Sequence, residues 1–128
     1  MITIAVVGIL AGVAFPSYLS YIQRGNRSAA QQFMTDVASR EQQLMLDMRQ
    51  YVAVASTANF PNAPTATASG LNLSVPSTTS GKYTFVVAAD NNANPPTFTI
   101  TATATGSQLS DGNLTLDQAG TKAPSTKW

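Results

Sequence analysis

The sequence contains no cysteine and no histidine, and only 10% of its 128 residues are charged. Without cysteine there is no disulfide framework and no thiolate metal site. Without histidine the commonest general base and the commonest metal ligand are gone. The acids are aspartates and a lone glutamate, Glu41, with no paired-carboxylate spacing for acid–base work. These absences argue against an enzyme, and they leave no catalytic, cofactor or metal residues to name. The formal net charge of +1 gives no field that would draw nucleic acid in from a distance. Charge is also absent locally. The first charged residue is Arg24, so residues 1–23 carry none.

What occupies that stretch is MITIAVVGILAGVAFPSYLSYIQ. From Ile2 to Phe15 the only polar side chain is Thr3. A helix of 23 residues would be about 35 Å long, enough to cross a bilayer core. Tyr18 and Tyr21, followed by Arg24 and Arg27, have the order of an interfacial belt and a charged stop. A secretory signal peptide should begin with a basic region, and none precedes the apolar run. A buried core helix apolar on all sides would need a large protein around it.

The helical pattern continues through NRSAAQQFMTDVASREQQLMLDMRQYV, residues 26–52, which contains neither Pro nor Gly. Ala30, Phe33, Met34, Val37, Ala38, Leu44, Met45, Met48, Tyr51 and Val52 form one apolar stripe, with Glu41 its polar exception. Asp36 and Arg40 are spaced to pair across one turn. Joined end to end, residues 1 to about 51 make a helix roughly 75 Å long. A compact domain of this size has a radius of gyration of only about 14 Å. The apolar N-terminal half must therefore protrude, and it needs lipid or other copies of itself.

The remainder reads as loop and sheet. Pro61, Pro64 and Pro76 interrupt residues 53–82, where Leu71, Leu73 and Val75 alternate as a short strand would. KYTFVVAAD (82–90) and TFTITATAT (97–105) have period-two patterning, placing Tyr83, Phe85, Val87 and Ala89, then Phe98, Ile100, Ala102 and Ala104, on one face. NLTLD (113–117) predicts a last strand, and the tail ends in Trp128, expected to pack as an apolar end. The predicted class is α+β: one long N-terminal α-helix whose second half carries a three- to four-stranded antiparallel sheet. Three parts are expected, residues 1–23 as an apolar membrane or filament-core helix, 24–52 as its amphipathic continuation, and 53–128 as a loop-and-sheet head.

The stretch MITIAVVGILAGVAFPSYLSYIQRGNRSAAQQ resembles the N-terminal helix of type IV pilins, and the ending GSQLSDGNLTLDQAGTKAPSTKW resembles their PilE/ComP-like branch. Mature members begin with a methylated Phe and an FTLIEL-like segment. Against that pattern the chain is expected to lack about six residues of the mature N-terminus. The resemblance implies a structural subunit held first in the bacterial inner membrane, then lifted by the pilus assembly machinery into a helical homopolymer on the cell surface. Adhesion to host or abiotic surfaces, twitching motility and DNA uptake are the roles implied. Ile2, Ile4, Val6, Val7, Ile9, Leu10, Val13 and Phe15 are then the expected filament-core interface. Pro16 removes a helical hydrogen bond and clashes with the carbonyl of Gly12. Together with Gly8 and Gly12 it marks the segment where the helix is expected to kink or melt on assembly. The alternatives are a minor pilin that binds DNA or another ligand, and a type II secretion pseudopilin.

Some members of that branch bind DNA. Lys82, Lys122 and Lys127 are the only cations beyond Arg49 and would make a weak phosphate patch if the fold gathers them. Asp90-Asn91-Asn92-Ala93-Asn94 alternates oxygen ligands but lacks the glycine and distal glutamate of a calcium loop, so a hairpin loop is expected. Ser80-Gly81-Lys82 resembles the end of a phosphate-binding loop but leads into a strand. Three Asn-X-Ser/Thr sequons, at Asn26, Asn72 and Asn113, identify no glycan by themselves.

Overall fold

The computed structural model describes residues 2–64 and 70–128. For residues 2, 5 and 9–17 it describes the course of the backbone, not the side chains. Helix α1 spans Ile2–Met48, 47 residues, or roughly 70 Å. It ends three residues before the sequence pattern suggests, because Arg49 takes a left-handed φ of 57° and turns the chain back. Tyr51 and Val52 remain buried, but they lie beyond the helix and are held from outside it. The Tyr51 N–H donates to Asn91 Oδ1 at 2.8 Å, and Asn91 Nδ2 donates to the Tyr51 carbonyl at 3.0 Å.

Four strands follow, β1 (Tyr83–Asp90), β2 (Thr97–Ala104), β3 (Leu114–Asp117) and β4 (Lys122–Ala123), in an antiparallel meander of order β1-β2-β3-β4. Tyr83 pairs with Ala104 and Asp90 with Thr97, so the predicted faces coincide across the pair. Phe85, Val87, Phe98, Ile100, Ala102 and Leu114 are buried against α1, while Thr99 and Thr103 face outward. The period-two pattern fixes this, since a one-residue slip would turn every threonine into the core. From the helix come Ala30, Phe33, Met34, Val37 and Leu44. The Phe33 ring meets Phe60 at 5.3 Å and Phe85 at 4.8 Å, both edge-to-face, the arrangement that aromatic quadrupoles prefer.

Three expectations are corrected. Residues 71–75 form no strand: Asn72 has φ 54°, and the N–H groups of Leu71 and Leu73 both donate to the Phe60 carbonyl, so they do not alternate across a ladder. The fourth strand lies in what reads as tail, and its two residues are too few and too exposed to carry a pattern. Asp36 and Arg40 do not pair; Asp36 accepts from Gln32 at 3.0 Å, and Arg40 donates to the Leu71 carbonyl and to Gln43.

The free edge of β1 is covered by the strap that follows the helix. Val54 and Val87 exchange two backbone hydrogen bonds of 2.9 Å. The Thr57 hydroxyl accepts the Phe85 N–H at 2.7 Å. All of this lies on the second half of α1. Below it, Ile4, Val6, Val7, Tyr18, Leu19, Tyr21 and Ile22 are exposed, Ile4 at 75% and Tyr21 at 76%. Among the described residues no helix is long and apolar enough to cross a membrane.

Candidate functional site

The head meets the helix at its base through one short element, the 3-10 segment Gly106–Asp111 between β2 and β3. Its ends are set by two glycines with positive φ, Gly106 at 56° and Gly112 at 83°. A Cβ on Gly106 would also stand 3.1 Å from the Gly81 carbonyl oxygen. Asn113 closes the loop by accepting the Ala104 N–H at 3.0 Å.

Asp111 is the centre of this base. Its Oδ1 receives Arg27 Nη1 at 2.6 Å and Lys127 Nζ at 3.2 Å. Its Oδ2 receives the Tyr83 hydroxyl at 2.8 Å and Gln108 Nε2 at 3.2 Å. Burial by itself pushes the carboxyl up, but the hydrogen bonds from Tyr83, Gln108 and Lys127 and the charge of Arg27 outweigh it and hold the group below the usual carboxylate range. Burial first, and then the hydrogen bond to Asp111, push the Tyr83 hydroxyl up to about 12, against smaller opposing effects of Gln108 and Arg27.

Gln108 is fully buried and fully used. It donates to the Gln23 carbonyl at 2.9 Å and accepts from Asn26 Nδ2 at 3.3 Å. Gln23 in turn donates to the Ser107 carbonyl at 2.9 Å and to Ser110 Oγ at 3.1 Å. Gln31 reaches the Lys127 carbonyl at 2.6 Å. The lower head is thus docked on α1 by amides and charges, whereas the upper head is docked by the apolar core.

The three lysines can now be placed. Lys82 Nζ donates to Ser107 Oγ at 2.9 Å and Lys127 Nζ pairs with Asp111, so both border the same 3-10 segment. Lys122 is exposed, its Nζ 4.9 Å from the centroid of the Trp128 ring. Trp128 is half-buried against the core and donates its indole N–H to the Ala123 carbonyl. Lys82 and Lys127 therefore share one locality, whereas Lys122 lies beside Trp128 on a groove lined by Thr35, Ala38 and Gln42, further along α1. The sequence reading misses Arg27 as part of this site. Its signal is its spacing, three residues before Ala30 on the buried stripe.

Of the expected filament-core residues, Ile4, Val6 and Val7 are exposed on α1. Ile2, Ile9, Leu10, Val13 and Phe15 lie outside the described side chains, as do Gly12 and Pro16. Nothing approaches within 4 Å of where a Cβ on Gly8 would stand. The Asp90–Asn94 segment is a hairpin turn in which Asp90 Oδ1 accepts the N–H groups of Asn92 and Ala93. Asp117 caps the β3–β4 turn by accepting from Ala119 and Thr121. Among the described residues no group of three or more acidic side chains gathers to hold a metal.

A family model described as type IV minor pilin ComP, DNA uptake sequence receptor, matches residues 16–115. No curated protein and no solved structure matches the chain.

Proposed function

Because the chain belongs to the ComP family of type IV minor pilins, we propose that it is a pilus subunit whose head contacts DNA during uptake. The α+β pilin fold is that of the family: a long N-terminal helix followed by a four-stranded antiparallel sheet. Residues 1–23 are the anchor, held in the inner membrane before assembly and in the filament interior afterwards. Ile2, Ile4, Val6, Val7, Ile9, Leu10, Val13 and Phe15 are the side chains that pack there. Burying each large one is worth about 1.5–3 kcal/mol, which removes the need for covalent linkage between copies. Gly8, Gly12 and Pro16 are where that helix loosens on assembly. Residues 24–52 carry the head, 53–128. The family's description favours a minor subunit over the bulk filament subunit.

The observation that carries the DNA reading is the family match over residues 16–115. The grouping of Lys82 and Lys127 on one 3-10 segment, with Lys122 exposed beside Trp128, supports it. Contact by three lysines is a phosphate contact, and it predicts a shallow salt dependence. Three released counterions give a slope of log affinity against log salt near −2.7, about a 40-fold loss between 50 and 200 mM. Fluorescence anisotropy with labelled duplex over that range tests it. Lys82→Gln, Lys122→Gln and Lys127→Gln are each expected to reduce the slope by about 1. Absence of binding at 50 mM salt, or affinity independent of salt, would sink the assignment.

A further inference from the structure

We propose that the base of the head is a binding surface for the phosphates of anionic phospholipid headgroups, with Arg24, Arg27, Lys82 and Lys127 as its cations. The inference rests on the reading of residues 1–23 as a membrane anchor, and it concerns what the head does while the chain is in the membrane.

Two of the four cations lie on α1 itself, and Lys82 and Lys127 are brought to the same level from distant parts of the chain. Arg24 and Arg27 are one helical turn apart, about 4.5 Å along the axis. The Lys82 ammonium binds Ser107, whose carbonyl is held by Gln23. The Lys127 ammonium shares the Asp111 carboxylate with Arg27. Two of the four positive charges share a single carboxylate, while Lys82 binds a hydroxyl and Arg24 is exposed on the helix, so the level carries an excess of positive charge. Directly below this level α1 exposes Tyr18, Leu19, Tyr21 and Ile22. Exposed tyrosines followed by cations mark the boundary between hydrocarbon and headgroups. The other acids lie away from this level, with Asp36, Glu41 and Asp47 further along the helix, Asp90 at the opposite end of β1 and Asp117 in the β3–β4 turn beside Ala38 and Gln42.

Orientation gives an independent reason. Cations that follow an apolar anchor bias the following domain towards the cytoplasm, whereas a pilin head belongs on the outer side. These cations therefore work against that topology, and an anionic ligand for them there accounts for their presence. Lipid phosphate is the anion that lies at that depth, and clustered basic residues beside an apolar segment attract it.

The test uses the full chain. Flotation with phosphatidylcholine vesicles first reports insertion; a chain left at the bottom of the gradient overturns the anchor reading and this inference with it. The inserted chain is then placed in nanodiscs with equal phosphatidylcholine and phosphatidylglycerol, and native mass spectrometry counts the lipids it retains. A preference of about fivefold or more for phosphatidylglycerol is expected, on the scale of one basic group at an anionic surface. In the Arg24→Gln/Lys82→Gln double variant it should fall by at least half. Arg49→Gln, which removes a charge beyond the C-terminal end of α1, should leave it unchanged. Equal retention of the two lipids overturns the proposal. So does an equal loss in Arg49→Gln, which would mean that net charge and not this surface attracts the lipid.

Discussion

Glu41→Gln tests how the strap beyond the helix is held. Glu41 is fully buried on the apolar stripe of α1. Its Oε2 accepts the Val52 N–H at 2.9 Å, and its Oε1 has no partner. The ion pairs among the described residues involve Arg27, Lys127 and Asp111, not Glu41. Its neighbour Arg40 is turned to the Leu71 carbonyl and Gln43. Burial therefore raises the carboxyl from an ordinary 4.5 to about 7, with the Val52 N–H opposing. The folded chain binds this proton more tightly than the unfolded chain, so the contribution of Glu41 to stability is greatest below pH 4.5 and is lost as pH rises through 7. That interval is worth about 3 kcal/mol in full, of which about 2.5 kcal/mol falls between pH 5 and 8. For a head of this size the loss is a fall in Tm of about 10 °C. Glutamine keeps a carbonyl oxygen for the Val52 N–H and places an NH2 where the acid carries its proton, without the charge. Circular dichroism melts of the full chain in nonionic detergent, at pH 5 and pH 8, give the comparison. The variant should lie within about 1 kcal/mol of the parent at pH 5 and be more stable by about 2 kcal/mol at pH 8. Subtracting the two pH profiles removes every other titrating group. Parallel profiles across this range would refute the reasoning.

Asp111→Asn removes the charge facing Arg27 and Lys127, both of which keep some contact with solvent, so its cost is expected near 2 kcal/mol rather than the 3–5 kcal/mol of a wholly buried pair. Because the Asp111 carboxyl is held below its ordinary 3.8, its contribution is present above that value and lost as pH falls through the folded pKa; an acid titration in which parent and variant unfold together would contradict the assignment. Pro16→Ala restores a helical hydrogen bond to the Gly12 carbonyl and removes a ring clash worth about 3 kcal/mol, so filaments containing the variant should extend less under load. Unchanged force–extension curves in optical tweezers would remove Pro16 from that role.

The two long strands and the core stripe are legible because each is a local pattern. Tyr83, Phe85 and Val87, then Phe98, Ile100, Ala102 and Ala104, alternate in a register that the pleat itself imposes. Alternation alone is not sufficient, as Leu71, Leu73 and Val75 illustrate. There a left-handed Asn72 and one shared acceptor, the Phe60 carbonyl, replace the ladder. The base of the head is hidden for a different reason. Asp111 is separated from Arg27 by 84 positions, from Tyr83 by 28 and from Lys127 by 16, and no local pattern encodes such a convergence. Part of it nevertheless leaves a trace. Arg27, Ala30, Met34, Val37, Glu41 and Leu44 follow one another at intervals of three and four, so both charged members stand where a core residue belongs. Charges at core positions are the signal for a buried partner or a shifted pKa, and each of these two has one of them.

On the proposed reading of residues 1–23 as a membrane anchor, the polar character of the base follows from where it would work. Apart from Leu46 near its far end, the exposed large apolar side chains of α1 end at Ile22, and the buried ones begin at Ala30. Between them Gln23 to Ala29 rise about 10 Å, slightly more than the headgroup layer on one side of a bilayer, about 5–8 Å. An apolar joint at this height would be soaked by water and lipid phosphate and would gain little from burial. Hydrogen bonds from Gln23, Asn26 and Gln31 and the Arg27–Asp111 pair hold the head there without needing a dry surface. On the proposed reading, in which the helix leaves lipid for a filament, the surroundings of this collar would change while its internal bonds need not. One joint could then serve the chain in both settings, whereas on that reading the apolar segment below exchanges lipid for neighbouring helices.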